Sequence, residues 1–542
     1  MSASILMIIT LIVLVIGYVL YGRYIAKIYD LDPNRQTPAH TNKDGVDYVP
    51  TKAPILMGHH FASIAGAAPI IGPIVAAVFG WIPVMIWILF GTIFMGGVHD
   101  MSALVASVRH GGKTIGEVIE DHIGRSGKRL FLVFAWSLVT LVIAVFAHAV
   151  ANVFVKEPAT ATSSLLFILV AIIFGMSVYR YKAPLWFSSI VGVALLAGCI
   201  AIGLRFPLVL SADAVKAYNI WKGILFVYVF FAAVMPVWIL LQPRDYLSSF
   251  LLYTILIAGV VGILVANPKL ETEAFTAFKI EGKGYLFPIL FVTVACGAIS
   301  GFHSLVSAGT TAKQLNKETD AKPIAYGSML IEGLLAMIAL ITATTIVATK
   351  YKEFMAPGGG GAIAIFSSGI GSFVSKLGVP EKAGVTFAAL AISAFALTTL
   401  DTATRLGRFM FQEFFEGIGK QNILSKNIYI GTLATIGLAA FFTFSGTQGK
   451  LWPLFGSANQ LLASLTLLAV TVWLTKVGKK NGFVKYPMYF MFCVAISALC
   501  FMVYNNALEK NYPLVVVSLI LLGVAITLVF NALKSLKKVV VT

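Results

Sequence analysis

Charge is scarce in this chain. Asp, Glu, Lys and Arg make up 12% of its 542 residues, against roughly 25% in soluble proteins. A soluble fold of this size cannot hide an apolar share of 58%, whereas bilayer hydrocarbon can. No polar stretch between the apolar runs is long enough to be a soluble domain. Cysteine is scarce too. Cys199, Cys296, Cys493 and Cys500 all fall inside apolar runs, without zinc-type pairing and without a disulfide framework. No HExxH segment is present, and the neighbours His59 and His60 point to different helix faces. A metal held by two His and an Asp is therefore the weaker reading of the histidines. The net charge of +17 sits in short loops rather than on one face or tail. That excludes a nucleic-acid surface and leaves an attraction to anionic lipid headgroups.

What the chain does have is a series of apolar runs near the ~20 residues that a spanning helix needs. They predict an all-α polytopic membrane protein with fifteen spans, at 4–24, 55–79, 81–105, 130–154, 163–180, 184–204, 221–242, 246–266, 286–311, 325–348, 383–401, 428–446, 454–475, 487–505 and 512–531. The stretch 358–377 is apolar but begins with four glycines, Gly358 to Gly361, and reads as a re-entrant or surface-packed segment. The first run, Ile5 to Leu20, has no positive charge before it and Arg23 and Lys27 after it. That is the reverse of a cleavable signal peptide and predicts a retained helix starting outside. In this orientation the inner loops carry about two Lys or Arg for each one outside, as the positive-inside rule requires. The C-terminus, with Lys534, Lys537 and Lys538, is then cytoplasmic.

Two segments look alike: Gly58-His59-His60-Phe61-Ala62-Ser63-Ile64-Ala65-Gly66 and Gly301-Phe302-His303-Ser304-Leu305-Val306-Ser307-Ala308-Gly309. Both read Gly-x-His, five residues, Gly. The span layout threads them in opposite directions, which is the architecture of many secondary transporters. Pro69 and Pro73 interrupt the first, and Gly297 and Gly301 loosen the second. Helices broken in mid-membrane need a polar cavity for their freed backbone groups, and their ends offer partial charges to an ion or a carboxylate. The competing explanation is that small residues only let helices pack closely. It does not account for the histidines.

Ionisable groups inside spans cost enough to be functional candidates. Three acidic residues lie within the spans as drawn: Asp100, Glu332 and Asp401. His99 and Asp100 suit a proton-coupling group, because histidine changes charge near neutral pH; the alternative is an Asp that only steadies a histidine between helices. Asp401, among Thr398, Thr399 and Thr402, is a candidate cation ligand or a partner for Arg405 or Arg408. Glu332 reads as a buried structural partner and His148 as a packing histidine. Asn459 and Gln460, which follow Trp452-Pro453-Leu454-Phe455-Gly456, either line the cavity or hold helices together.

Taken together, these stretches resemble the carbon starvation protein A family. The resemblance rests on Gly58-His59-His60-Phe61 with Ala65-Gly66, on Val98-His99-Asp100, and on Ser300-Gly301-Phe302-His303 with Ser307-Ala308-Gly309-Thr310-Thr311. It continues through Leu397-Thr398-Thr399-Leu400-Asp401-Thr402-Ala403-Thr404-Arg405 and Trp452-Pro453-Leu454-Phe455-Gly456. It implies a LeuT-like fold of the amino acid–polyamine–organocation type, with two inverted five-helix repeats. Here these would be 55–204 and 286–475, with 205–285 as connecting helices and 476–542 as C-terminal helices. The broken helices would be those carrying His60 and His303. An external hairpin of that fold would fall on 358–377. The resemblance also implies uptake of peptides or pyruvate under starvation, coupled to protons or sodium, across the inner (plasma) membrane.

The expected substrate-binding residues are Gly58, His59, His60, Gly66, Gly301, His303, Ser307 and Asn459. The expected coupling residues are His99, Asp100, Thr398, Thr399 and Asp401. No cofactor, metal, enzyme activity or nucleic-acid partner is expected. The alternatives are a starvation-sensing membrane receptor and a membrane metalloprotein.

Overall fold

A computed structural model describes residues 2–45, 48–236, 239–356, 359–416, 422–445 and 448–540. Its helices follow the apolar runs. α1 (Ala3–Tyr29) precedes α2 (Ala53–Ile64) and α3 (Ala68–Phe79), which meet at a bend of 47°, and then α4 (Trp81–Arg109). The short α5 (Ile115–Ile123) leads to α6 (Arg125–Lys156), α7 (Pro158–Val178), α8 (Leu185–Arg205), α9 (Ala214–Val234) and α10 (Leu241–Ala266). After a hairpin of β1 (Lys279–Ile280) and β2 (Gly284–Tyr285) come α11 (Leu286–Thr293) and α12 (Gly301–Val306), whose helical turns continue to Gln314. α13 (Glu318–Thr344), α14 (Ala348–Met355) and α15 (Gly361–Ser375) follow. The chain closes with α16 (Glu381–Glu416), α17 (Ile428–Phe444), α18 (Trp452–Lys476), α19 (Gly482–Leu508) and α20 (Tyr512–Val540).

Twelve helices among the described residues are long and apolar enough to cross a membrane, or thirteen with the bent α2–α3 pair. The chain is an all-α multi-pass membrane protein. Its centre is α6, α13, α16 and α18, buried over most of their length, while α1, α8 and α20 stay largely exposed. The exposed positions are apolar, among them Ile5, Ile12, Trp186, Ile190, Ile520 and Phe530. Such a surface is stable only against hydrocarbon.

The run 286–311 is broken, as expected of the helix carrying His303: the chain leaves helical geometry between Thr293 and Gly301. Two other expectations need correction. The run 428–446 is a helix of 17 residues, shorter than the twelve. Residues 243–245, expected in a loop between two spans, lie inside α10. In the glycine-rich stretch, Gly358 lies outside the described residues; α15 packs along α16 and against α13 and α3.

The two ends of the bundle are fastened differently. At one end the loop 267–285 uses its backbone. Ala3 N–H donates to Pro268 O at 2.9 Å, Glu271 N–H to Thr344 O at 2.8 Å, and Ile82 N–H to Ala274 O at 3.0 Å. Gly80, with φ +100°, makes this possible, since a Cβ there would lie 2.6 Å from Ala274 O. At the opposite end, where α13 begins, side chains do the fastening. Buried Glu318 pairs with Arg35 at 2.6 Å and with Arg109. It also accepts the Asp32 N–H at 3.0 Å.

Candidate functional site

The two look-alike segments lie side by side and run in opposite directions. Thr51, just before α2, donates its N–H to Gln314 O at 3.0 Å. His60 Nδ1 meets Thr311 Oγ1 at 2.8 Å. Beyond the bend, a Cβ on Gly72 would lie 3.2 Å from Val294 Cα, and one on Gly297 would lie 3.6 Å from Pro73 Cγ. The start of one segment is thus the neighbour of the end of the other, and both are interrupted near the middle.

Both interruptions are written into the sequence. Ala65 turns away from the helix at ψ 69°, and Pro69 supports the restart of α3 at its first turn. In the second segment the freed backbone groups find side-chain partners, as they must in a dry environment. Trp87 Nε1 donates to Val294 O at 3.2 Å, and Thr92 Oγ1 to Gly297 O at 3.2 Å. Gln460 Nε2 donates to Phe291 O at 3.0 Å. Asn459 Oδ1 accepts the Phe302 N–H at 2.9 Å, and its amide nitrogen donates to Ser300 Oγ at 3.1 Å. Asn459 and Gln460 therefore hold α18 to the break.

Four ionisable side chains meet beside this break, all fully buried. His99 Nδ1 lies 2.7 Å from Asp100 Oδ1. The other Asp100 oxygen lies 2.9 Å from His303 Nδ1. His303 Nε2 faces Glu332 Oε2 at 3.4 Å. The order is His99, Asp100, His303, Glu332, drawn from α4, α12 and α13. Neither Glu332 oxygen has a hydrogen-bond partner among the described residues. The expected pair His99 and Asp100 is thus joined to His303, which had been expected in the other group. Glu332, expected as a structural partner, belongs to the same chain of contacts.

A second buried cluster joins α9, α10 and α16. Arg244 pairs with Asp401, and Tyr228 donates its hydroxyl hydrogen to Asp401 Oδ2 at 2.7 Å. Asp245, next to Arg244, lies 3.2 Å from His59 Nδ1. The groups on the Asp401 carboxylate are thus Arg244 and Tyr228 rather than the expected Arg405 or Arg408. Those arginines donate to the carbonyls of Ala232, Met235 and Ala233 at the C-terminal end of α9, where a helix favours positive charge. Sequence reasoning missed Arg244, Asp245 and Tyr228.

The remaining expected residues fall around these clusters. Gly58 faces Ser249, whose Oγ would lie 3.3 Å from a Cβ. Gly66 faces Thr399, whose Oγ1 would lie 2.6 Å from a Cβ. Gly301 lets α12 approach α18, since a Cβ there would lie 2.6 Å from Ala463 N. Ser307 Oγ and Thr398 Oγ1 are buried with no hydrogen-bond partner among the described residues. His148 Nδ1 bonds the Tyr218 hydroxyl and stacks on its ring, as a packing histidine does. A cavity of about 980 Å³ opens where Thr51 and Gln314 meet; its walls include Lys52, His59, Arg180 and Gln242. A second, of about 810 Å³, reaches Leu305 and Leu406 and carries Lys113, Glu117, Lys313 and Glu413.

Known proteins share this sequence over most of its length. The family described as carbon starvation protein CstA matches residues 2–360 and 352–498. The peptide transporter CstA of Bacillus subtilis (strain 168) is 32% identical over 98% of this chain and 97% of its own. The pyruvate/proton symporter BtsT of Escherichia coli (strain K12) is 34% identical over 86% of this chain and 76% of its own. A crystal structure of the Eremococcus coleocola manganese transporter covers 92% of this chain and 98% of its own, at 14% identity and a TM-score of 0.45, a likeness too loose to carry an argument.

Proposed function

The chain belongs to the carbon starvation protein CstA family, and from that premise we propose that it is a secondary active transporter which imports small carboxylate nutrients, peptides or pyruvate, together with protons. The observation that carries the proposal is the sealed series His99, Asp100, His303, Glu332 beside two oppositely directed broken helices. Alternating imidazoles and carboxylates, hydrogen-bonded from His99 to His303 and with Glu332 3.4 Å beyond, are a chemistry that takes up and passes protons. Burial of all four means that a proton reaches them only when the surrounding helices move. Such sealing separates a carrier from a channel.

The substrate is placed at the bend of α2 and α3, against Gly66, Thr398 and Thr399, with His60 and Ser307 nearby. A helix interrupted there presents backbone N–H groups to a carboxylate. The pairwise packing supports two inverted repeats with redrawn limits. α10 packs on α2 and α16, as α18 packs on α12 and α6; α9 packs on α6, as α17 packs on α16. α8 packs mainly on α7, and the two are read as an inserted pair. The first repeat, expected over 55–204, then takes in α9 and α10. The protein is placed in the inner membrane with its N-terminus outside and its C-terminus cytoplasmic, acting when nutrients run short.

The test is uptake of labelled pyruvate and labelled dipeptides into proteoliposomes, with and without a proton gradient. Accumulation driven by the gradient is expected for one class or both. Accumulation that follows a sodium gradient alone would replace the proton, and no accumulation of either substrate would end the proposal.

A further inference from the structure

We infer that His59 and Asp245 form a second proton-binding site, separate from the sealed cluster and in contact with the 980 Å³ cavity. The inference rests on the transporter reading only for its use in transport; the binding of the proton itself does not depend on it.

Charge and burial carry the argument. Asp245 and Asp401 are both fully buried, and the cation between them is the buried guanidinium of Arg244. It pairs closely with Asp401 and lies 3.9 Å from Asp245. Both Asp245 oxygens lack a hydrogen-bond partner among the described residues. One guanidinium therefore faces two carboxylates. A buried carboxylate without a counter-charge is costly, so one more positive charge would relieve this group. The side chain placed to supply it is His59, whose Nδ1 lies 3.2 Å from Asp245 Oδ2. His59 is also the member of the group that lines the cavity. A proton adding to the imidazole lone pair gives an imidazolium beside the Asp245 carboxylate, and no other bond changes.

The groups around His59 fit this role. On its own helix His60 turns away, with Nδ1 on Thr311, and Lys52 precedes the helix at the cavity wall. α10 offers Arg244, Asp245 and Tyr246; α16 offers Asp401; α9 offers Tyr228. Arg180 lines the same cavity as His59 and Lys52. The Asp245 carboxylate is the charged group in contact with the imidazole. The two sites then differ in access: one is closed on every side, and the other is reached from the cavity.

The experiment is a proton count on the purified full-length protein between pH 8 and pH 5, with histidine nitrogen NMR as the site-specific readout. His59→Gln should take up one proton fewer than the unaltered protein. Asp245→Asn should move the His59 titration to lower pH by about one unit or more, the effect of losing an adjacent opposite charge. Asp245→Glu, which keeps the charge, should restore it, and it carries the test if Asp245→Asn does not fold. An unchanged proton count in His59→Gln overturns the inference, as does a His59 midpoint indifferent to Asp245→Asn. Gradient-driven pyruvate uptake in Asp100→Asn keeps the two ideas apart. If that uptake is lost while His59→Gln titrates normally, the second site falls and the transporter reading stands. If the uptake survives and His59→Gln loses its proton, the sealed cluster loses its role and the second site stands.

Discussion

His303 Nδ1 lies 2.9 Å from Asp100 Oδ2, although 203 residues separate them in the chain. The contact joins the second broken segment to α4, and no helix of either segment makes it alone. It gives Asp100 two imidazole partners, since His99 holds its other oxygen at 2.7 Å.

Asp100→Asn keeps the shape of that side chain and removes its charge. Proton-driven uptake in proteoliposomes should fall to the level of protein-free vesicles. Exchange of labelled for unlabelled substrate, which needs no net proton movement, should persist. Driven uptake at the normal rate would show that Asp100 is not the coupling group.

Arg244→Met should lower stability by about 3–5 kcal/mol, the usual cost of leaving a buried carboxylate without its cation. The double change Arg244→Met with Asp401→Leu should recover much of that loss, because an apolar pair of similar volume replaces the ion pair. Thermal unfolding of the purified protein reads both. Equal losses in the single and double variants would mean that the pair is not what holds α10 to α16.

Gly301→Val should destabilise by about 1–3 kcal/mol through overpacking, because a Cβ there lies 2.6 Å from Ala463 N and from Leu462 Cβ. Gly437→Val on α17 is the matched control, since nothing lies within 4 Å of a Cβ at that position. The melting temperature should drop for the first and barely move for the second.

α5 lies between the spans, and its His122 should make this region acid-sensitive. Burial first, then the nearby His110 and Lys476, push the His122 imidazole down from 6.5 to about 4. Between those values the unfolded chain binds more protons than the folded one. The contribution of His122 is therefore complete above pH 6.5 and is lost as the pH falls towards 4. Hydrogen exchange of Ile115–Ile123 should speed up between pH 7 and pH 5, beyond its intrinsic pH dependence. His122→Gln should remove that change. A wild-type pattern in the variant would assign the sensitivity elsewhere.

Much of this arrangement was legible in the residues. Pro69 and Pro73 marked the first break, and the Gly-x-His spacing marked the second segment. Val98-His99-Asp100 stood out because an apolar run has little reason to carry a charge. Arg244 and Asp245 were hidden for the opposite reason. Gln242, Pro243, Arg244 and Asp245 read as a polar joint between two spans, whereas α10 begins at Leu241 and buries both charges. Nothing local distinguishes a solvated pair from a buried one; only Asp401, the partner of Arg244 157 positions on, does that. Glu332 was visible but could not be joined to His303 without knowing which faces of α12 and α13 meet.

The clasp at residues 267–285 is made of peptide groups, and the one around Glu318 is made of side chains. Among point replacements only one to proline deletes a backbone N–H, and none deletes a carbonyl, so most side-chain changes in the loop leave the first clasp intact. A single replacement of Glu318 releases two arginines at once. Mutational drift can therefore retune the end around Glu318 through its side chains, while the other end yields to few point changes, Gly80 foremost, and otherwise to changes of loop length.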